Sequence, residues 1–358
     1  MLKYRGVTKE GLKQTIQPYL RLFSNLKEKK ISAIQILPKL PTRDDKKDVG
    51  VLKINGLYKI FGNHEVLTNI NLTIEPKKIT AIIGASGSGK TTILKSIIGF
   101  HRPTKGVISY KNQNIFENID FIRRSFGFAA QDDSFYFKLN VEENVKYFGK
   151  LYGLTDGFLE MYVSPMLKLV ELYDARFTLA ENLSTGMRRR LDIACALIHD
   201  PSVLILDEPT QDLDPHLRNE ILNLIKEINK RGTTIVFTSH LLEEVDLIAD
   251  NVAILAEGKI LQTGSPNKIK DSYSKNKEIH LYSLPGRYKK VIGRMRGVKK
   301  VTYEDGRAIL HVSDVNGVVK KLISNLKRNR EDIVDLTIRK PNLTEVFEHL
   351  TRNAKSKK

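Results

Sequence analysis

One stretch constrains this chain more than any other: Gly84-Ala85-Ser86-Gly87-Ser88-Gly89-Lys90-Thr91 fits the pattern GxxxxGK[ST]. It stands between an apolar run, Ile79–Ile83, that reads as a buried strand, and a helical stretch, Thr91–Ile98. Strand, glycine loop and helix in that order are what a bound phosphate chain requires. The glycines let backbone N–H groups close around phosphate oxygens, and the helix N-terminus adds a positive dipole end. Lys90 then reaches the β- and γ-phosphates, and the Thr91 hydroxyl is placed to ligate Mg²⁺. Residues 84–91, with the adjoining Thr92, are therefore the expected phosphate contacts.

The chain beyond this loop alternates helical and strand-like runs: Leu191–Ile198 before Val203–Leu206, and Glu220–Asn229 before Thr234–Thr238. Such alternation predicts an α/β core with parallel strands. The run Val203–Leu206 ends in Asp207-Glu208. An apolar strand that delivers two adjacent carboxylates at its tip has no packing rationale, because buried charge is costly unless it meets a cation. Asp207 is expected to hold Mg²⁺ and Glu208 to orient and deprotonate an attacking water.

Length and charge set the frame around these motifs. A chain of 358 residues suggests about two domains, and 41% hydrophobic with 28% charged residues excludes wholesale disorder. No apolar run approaches the ~18 residues needed to cross a bilayer, and the start lacks an apolar signal core, so a soluble cytoplasmic chain is expected. A single cysteine, Cys195, excludes an internal disulfide and a thiolate metal site. The net charge of +18 is unevenly spread: residues 1–50 carry +7, residues 51–270 are neutral, and residues 271–358 carry +11. The flanks suit something anionic, whether lipid headgroups, an acidic partner or nucleic acid, and equally suit ordinary solvation of a surface.

These boundaries divide the chain into three. Residues 1–50 form a basic extension, with amphipathic helical spacing at 8–30 interrupted by Pro18, then a Pro- and charge-rich linker from Leu37 to Gly50. Residues 51–270 form the nucleotide-binding domain. Residues 271–358 read as strand, helix, two strands about Glu304-Asp305-Gly306, helix and strand, the order of a small ferredoxin-like α+β sandwich, closed by an amphipathic helix after Pro341.

With both nucleotide motifs in place, the sequence resembles the ATP-binding subunits of ABC transporters. The family's signature stands as Leu183-Ser184-Thr185-Gly186-Met187, its glutamine loop at Gln131, its D-loop at Gln211-Asp212-Leu213-Asp214, and its switch histidine at His240. Phe61 beside Gly62 lies where the family stacks adenine. The resemblance covers about 51–265 and is strongest to the single-cassette subunits of type 2 exporters, the daunorubicin-resistance kind. The segments Leu183–Leu191, Val141–Asn144 leading to Leu151-Tyr152-Gly153, and Pro341–Leu350 carry that closer match. Two departures are Thr185, where glycine is commonest, and Met187, where glutamine is; the β-branched Thr185 bears on close backbone approach. Residues 1–50 have no counterpart.

The resemblance implies an α/β P-loop ATPase fold with a helical subdomain, ATP and Mg²⁺ as cofactors, and ATP hydrolysis coupled to transport. It implies two chains packed head to tail, as homo- or heterodimer, with Ser184 and Gly186 of one facing the γ-phosphate held by the other and Asp214 communicating between them. Gln131 would touch Mg²⁺ and sense a separate transmembrane permease, His240 would hold the water in line, and the subunit would sit at the cytoplasmic face of the membrane. The run Phe135-Tyr136-Phe137 reads equally as permease contact or as core, and Arg188-Arg189-Arg190 reads as one or two ion pairs across the surface. The rival is a soluble ABC ATPase acting on ribosomes or nucleic acid; a single cassette and the absence of a heptad run weigh against it. Replacing Lys90 by Ala is expected to weaken nucleotide binding itself, as read by calorimetry; unchanged affinity would refute the phosphate site.

Overall fold

The computed structural model describes residues 50–273, 277–293, 295–304, 306–312, 314–339 and 342–355. The amphipathic helices and linker expected at 8–49 lie outside the described residues. Two compact units emerge, each built from more than one segment of the chain.

The first unit holds residues 110–235 together with 75–77 and the start of the described chain. Its elements are β5 (Gln113–Asn114), α2 (Ile119–Ser125), β6 (Phe126–Ala129), α3 (Val141–Leu151), α4 (Asp156–Leu169), α5 (Thr185–Leu197), β7 (Val203–Leu206) and α6 (Pro215–Lys230). β6 and β7 pair in parallel, Phe126 opposite Val203 through Ala129 opposite Leu206. Every residue of β7 is buried, the mark of a parallel strand covered on both faces. α3 starts at a capping box: Asn140 Oδ1 accepts from the Glu143 N–H, and Glu143 Oε2 accepts from the Asn140 N–H. α6 begins earlier than the periodicity suggests, at Pro215, because Asp214 caps it and Pro suits the first helical position.

The second unit holds residues 52–74, 78–109 and everything from Val236 onward. It begins with a hairpin for which the sequence carries no clear alternation, β1 (Leu52–Phe61) antiparallel to β2 (His64–Ile74). Then come β3 (Ile79–Ile83), α1 (Lys90–Ile97) and β4 (Lys105–Tyr110, its last residue in the first unit). After β8 (Thr234–Ser239) follow α7 (Leu242–Ile248), β9 (Asn251–Ala256), β10 (Lys259–Gly264) and α8 (Pro266–Tyr273). β3 pairs in parallel with β9, and β9 antiparallel with β10.

The chain ends with β11 (Lys277–Leu284), α9 (Tyr288–Ile292), β12 (Val298–Glu304), β13 (Arg307–Val312), α10 (Val315–Arg328), β14 (Asp332–Arg339) and α11 (Leu343–Lys355). The four strands form one sheet in the order β12-β13-β11-β14, each neighbour antiparallel. That is the split order expected of a ferredoxin-like arrangement. Ile279, Leu281, Leu310, Val318, Leu322 and Leu326 make its own apolar core. α9 is short, ending at Ile292 before Gly293 with its positive φ of 37.

Close backbone approach sets the helix-on-strand packing in the first unit. A Cβ on Gly127 in β6 would stand 2.1 Å from the Ala196 carbonyl oxygen of α5 and 3.0 Å from Pro201. Backbone cannot yield as a flexible side chain can. Gly127→Ala is expected to destabilise the protein by about 1–3 kcal/mol, seen as a lower urea midpoint at unchanged m-value.

Candidate functional site

The expected phosphate loop lies in the second unit at the C-terminal end of β3, all of whose residues are buried. Gly84 is fixed by space: a Cβ there would meet the Leu255 carbonyl oxygen and Ser88 Oγ, each at 2.5 Å. Gly89 is fixed by conformation, at φ 106, where it caps α1. Ala85, Ser86 and Gly87 are exposed along the loop, Ser88 is buried, and the Ser88 N–H donates to the Ala85 carbonyl at 3.1 Å. Lys90 is buried, and its Nζ donates to the Gly84 and Ala85 carbonyls at 2.9 and 3.3 Å, so its ammonium lies across the loop. Thr91 and Thr92 sit half-buried on the first turn of α1, which carries no acidic residue. That end is electrostatically open to an anion.

Phe61, at the end of β1, is 42% exposed. Lys59 Nζ stands 4.7 Å from its ring centroid, and His101 meets it edge-on at 5.1 Å. Burial, then Lys59 and Lys95, hold the His101 imidazole below its ordinary pKa. Lys59 and His101 were not read from the sequence, since neither belongs to a motif. His240 directly follows β8 and is exposed. Its turn is held by Ser239 Oγ, which donates to Glu244 at 2.8 Å and accepts from the Leu241 N–H.

The first unit gathers the other expected residues at the C-terminal ends of β6 and β7. Asp207 is buried, its N–H donating to the Ala129 carbonyl at 3.0 Å. Glu208 is half-buried with φ 46, a left-handed conformation that costs a non-glycine residue roughly 1 kcal/mol or more. The Gln131 side-chain amide donates to Gln211 Oε1 at 2.7 Å, joining the glutamine loop to the turn after Glu208. Gln211 was noted only as part of the D-loop; nothing in its spacing marked it as a partner of Gln131.

Ser184 caps α5, its Oγ accepting from the Met187 N–H at 3.4 Å. Ser184 and Thr185 are exposed, whereas Gly186 is buried, with a Cβ there falling 3.1 Å from Leu217. The tighter position is thus Gly186, against the Leu217 side chain, and the β-branched Thr185 stands in open surface. Asp214 spends Oδ1 on the His216 and Leu217 N–H groups as the cap of α6. Its place in the D-loop thus coincides with a local structural duty. The aromatic run divides: Phe135 is buried, while Tyr136 and Phe137 are 50% and 41% exposed.

All three arginines of the triple are engaged, more than the one or two expected. Arg190 is buried and bonds Glu220 at 2.8 Å and Glu171 at 3.0 Å. Arg188 pairs with Asp133 at 3.5 Å, and Arg189 donates to the Ala130 carbonyl at 3.3 Å. A polar cavity of about 230 Å³ opens among Gln131, Asp133, Thr185, Arg188, Gln211 and Asp212. Beside it, buried Asp192 accepts at Oδ1 from the Ser134 N–H and hydroxyl at 2.9 and 3.2 Å.

The chain is similar to known proteins of one family. The profile of the ABC transporter family matches residues 67–211. The linearmycin resistance ATP-binding protein LnrL of Bacillus subtilis is 28% identical over 305 residues, 84% of this chain and 98% of that protein. The Nod factor export ATP-binding protein I of Sinorhizobium fredii is 30% identical, covering 86% of this chain and 87% of its own. Among solved structures, cbiO1 from Clostridium perfringens, part of the ABC transporter complex cbiONQ, superposes with a TM-score of 0.59 at 30% identity, covering 63% of this chain and 92% of that one. None of these three is named for ribosomes or nucleic acid. No helix among the described residues is long and apolar enough to cross a membrane.

Asp192 has a measurable consequence. Burial lifts its carboxyl from 3.8 to about 7, against the Ser134 N–H and Arg189, which lower it, and with Asp133, which raises it. Between those two values the folded chain binds more protons here than the unfolded chain does. Its contribution is therefore most favourable below the lower value and is lost as pH rises through the upper one. Asp192→Asn is expected to gain stability relative to the parent as pH goes from about 5 to about 8, read as a growing difference between urea midpoints. A constant difference would contradict the burial of an ionisable group.

Proposed function

Because this chain belongs to the ABC transporter family as one of its ATP-binding subunits, we propose that it powers export through a separate transmembrane permease by ATP-driven head-to-tail pairing of two such subunits. One observation carries the reading. α5 opens at exposed Ser184 and Thr185 with no acidic residue in its first turn, so the helix offers N–H groups and a positive end to a phosphate outside its own chain. One phosphate loop and one signature sequence per chain make two complementary half-sites when two copies oppose each other.

Within each half-site the roles follow from chemistry. Residues 84–92 cradle the phosphates of ATP, Lys90 balances their charge, and Phe61 offers its open ring to adenine. Among the described residues no three His, Cys, Asp or Glu side chains gather as a metal cage. Mg²⁺ needs none, since it is usually bound through one or two carboxylates plus substrate phosphates. The hard oxygens of Thr91, Gln131 and Asp207 fit it, the last a buried carboxylate at a strand end. When bound, Mg²⁺ would offset charge developing on the transferred phosphoryl group. Glu208 takes the proton of the attacking water, His240 keeps that water in line, and Asp214 relays between the two chains.

The permease contact is assigned to Gln131 and the segment through Tyr152, where exposed Tyr136, Phe137 and Leu151 supply apolar surface. The subunit would then lie at the cytoplasmic face of the membrane, held there by the permease. Residues 51–270 are taken as the ATP-binding domain and 271–358 as a basic α+β appendage.

Glu208→Gln is expected to lower ATP hydrolysis by roughly 10²- to 10⁴-fold, as for a lost general base, with nucleotide affinity retained. Phosphate release and calorimetry on the same preparation check this, and parental turnover in the variant would remove Glu208 from that role. Light scattering with Mg²⁺ and a non-hydrolysable ATP analogue tests the pairing: a Glu208→Gln chain that stays monomeric when its permease is supplied contradicts it.

A further inference from the structure

The backbone on both sides of Gln131 is tied to one helix. From α5, Arg189 donates to the Ala130 carbonyl, Arg188 pairs with Asp133, and Asp192 accepts both the N–H and the hydroxyl of Ser134. Arg188 and Asp192 are one turn apart and share a face, with Arg189 beside them. Three side chains thus hold residues 130, 133 and 134. Beyond them, fully buried Asn144 of α3 anchors the next stretch, accepting from the Tyr136 N–H at 2.8 Å and donating to the Tyr136 carbonyl at 2.9 Å.

Asp192 is the unusual member. Its Oδ2 is buried without a hydrogen-bond partner, its nearest cation being Arg189 at 3.9 Å. A carboxylate so placed is costly to keep for packing alone. What it supplies is an acceptor for an N–H three residues after the glutamine. The same helix begins, eight residues earlier and so about 12 Å away along its axis, at Ser184.

We propose that Asp192 is a positioning residue for ATP hydrolysis: together with Arg188 and Arg189 it fastens the glutamine loop to α5, so that Gln131 and the Ser184 end of the helix move as one body. This rests on the roles given above to Gln131 and Ser184. Contact of Ser184 with a phosphate would then set the position of Gln131 through a rigid helix, and displacement of residues 131–137 by a permease would reach the nucleotide by the same route. Asp192 itself touches no substrate.

The test uses the full chain carrying Asp192→Ala or Asp192→Asn. The alanine variant loses the acceptor and is expected to drop in kcat by about ten- to a hundredfold, as for a misplaced catalytic group, with KM for ATP within about twofold. Its Ser134 amide should exchange hydrogen faster, whereas the asparagine variant, which keeps Oδ1, should recover most of the parental kcat. A parental kcat in the alanine variant overturns the proposal, as does a rise in KM alone. Where Asp192→Ala does not fold, Arg188→Gln at its half-buried site decides. A fall in kcat at constant KM supports the fastening, and an unchanged kcat overturns it. A parent chain that hydrolyses no ATP would instead overturn the ATPase reading on which this inference stands.

Discussion

A parallel strand covered on both faces has no side available for chemistry, and this constraint organises the molecule. β3 and β7 are buried along their whole length. Polar function is thereby confined to the residues just past their C-terminal ends, where the chain first meets solvent and the next element starts. Gly84 and Asp207 are both the first residue beyond such a strand. Helices then take over: α1 begins within the loop after β3, and α5 brings its side chains against the loop after β6. The strands give apolar stability and leave the residues that follow them, Gly84 and Asp207, at their tips.

How much of this was legible in the sequence depends on whether the signal was local. The loop 84–91 and the pair Asp207-Glu208 announce themselves because glycine torsions and strand termination are decided within a few residues, whereas the helix read from Leu191 in fact begins at Thr185 behind the cap Ser184. The strand and helix order of 277–339 was legible for the same reason, since period-two and period-3.6 patterns alternate there without ambiguity. The hairpin β1–β2 was not, because its burial alternates with irregularities: its register shifts between Ile54 and Leu57 and twice more before Phe61. Such shifts blur the alternation that marks a strand.

Pairings across the chain were illegible for a different reason. Gln131 with Gln211, Arg190 with Glu220, and Ser134 with Asp192 join residues 80, 30 and 58 positions apart. No spacing rule connects them, since tertiary packing alone decides which polar side chain meets which. The arginine triple illustrates the limit. Composition suggested a solvated surface with a pair or two, yet Arg190 is buried between two glutamates and its neighbours hold loop backbone. The charges looked interchangeable in sequence and turn out to have three separate destinations.

The left-handed backbone at Glu208 carries one more implication. At φ 46 the backbone favours glycine, yet the chain places a carboxyl-bearing residue there. Glycine would relieve that torsion with loss of the carboxylate, whereas aspartate would ease it and keep a carboxylate on a shorter stem. Under the general-base role proposed for Glu208, selection for heat resistance alone would push this site toward glycine at the expense of turnover, so that durability and activity pull the sequence in opposite directions.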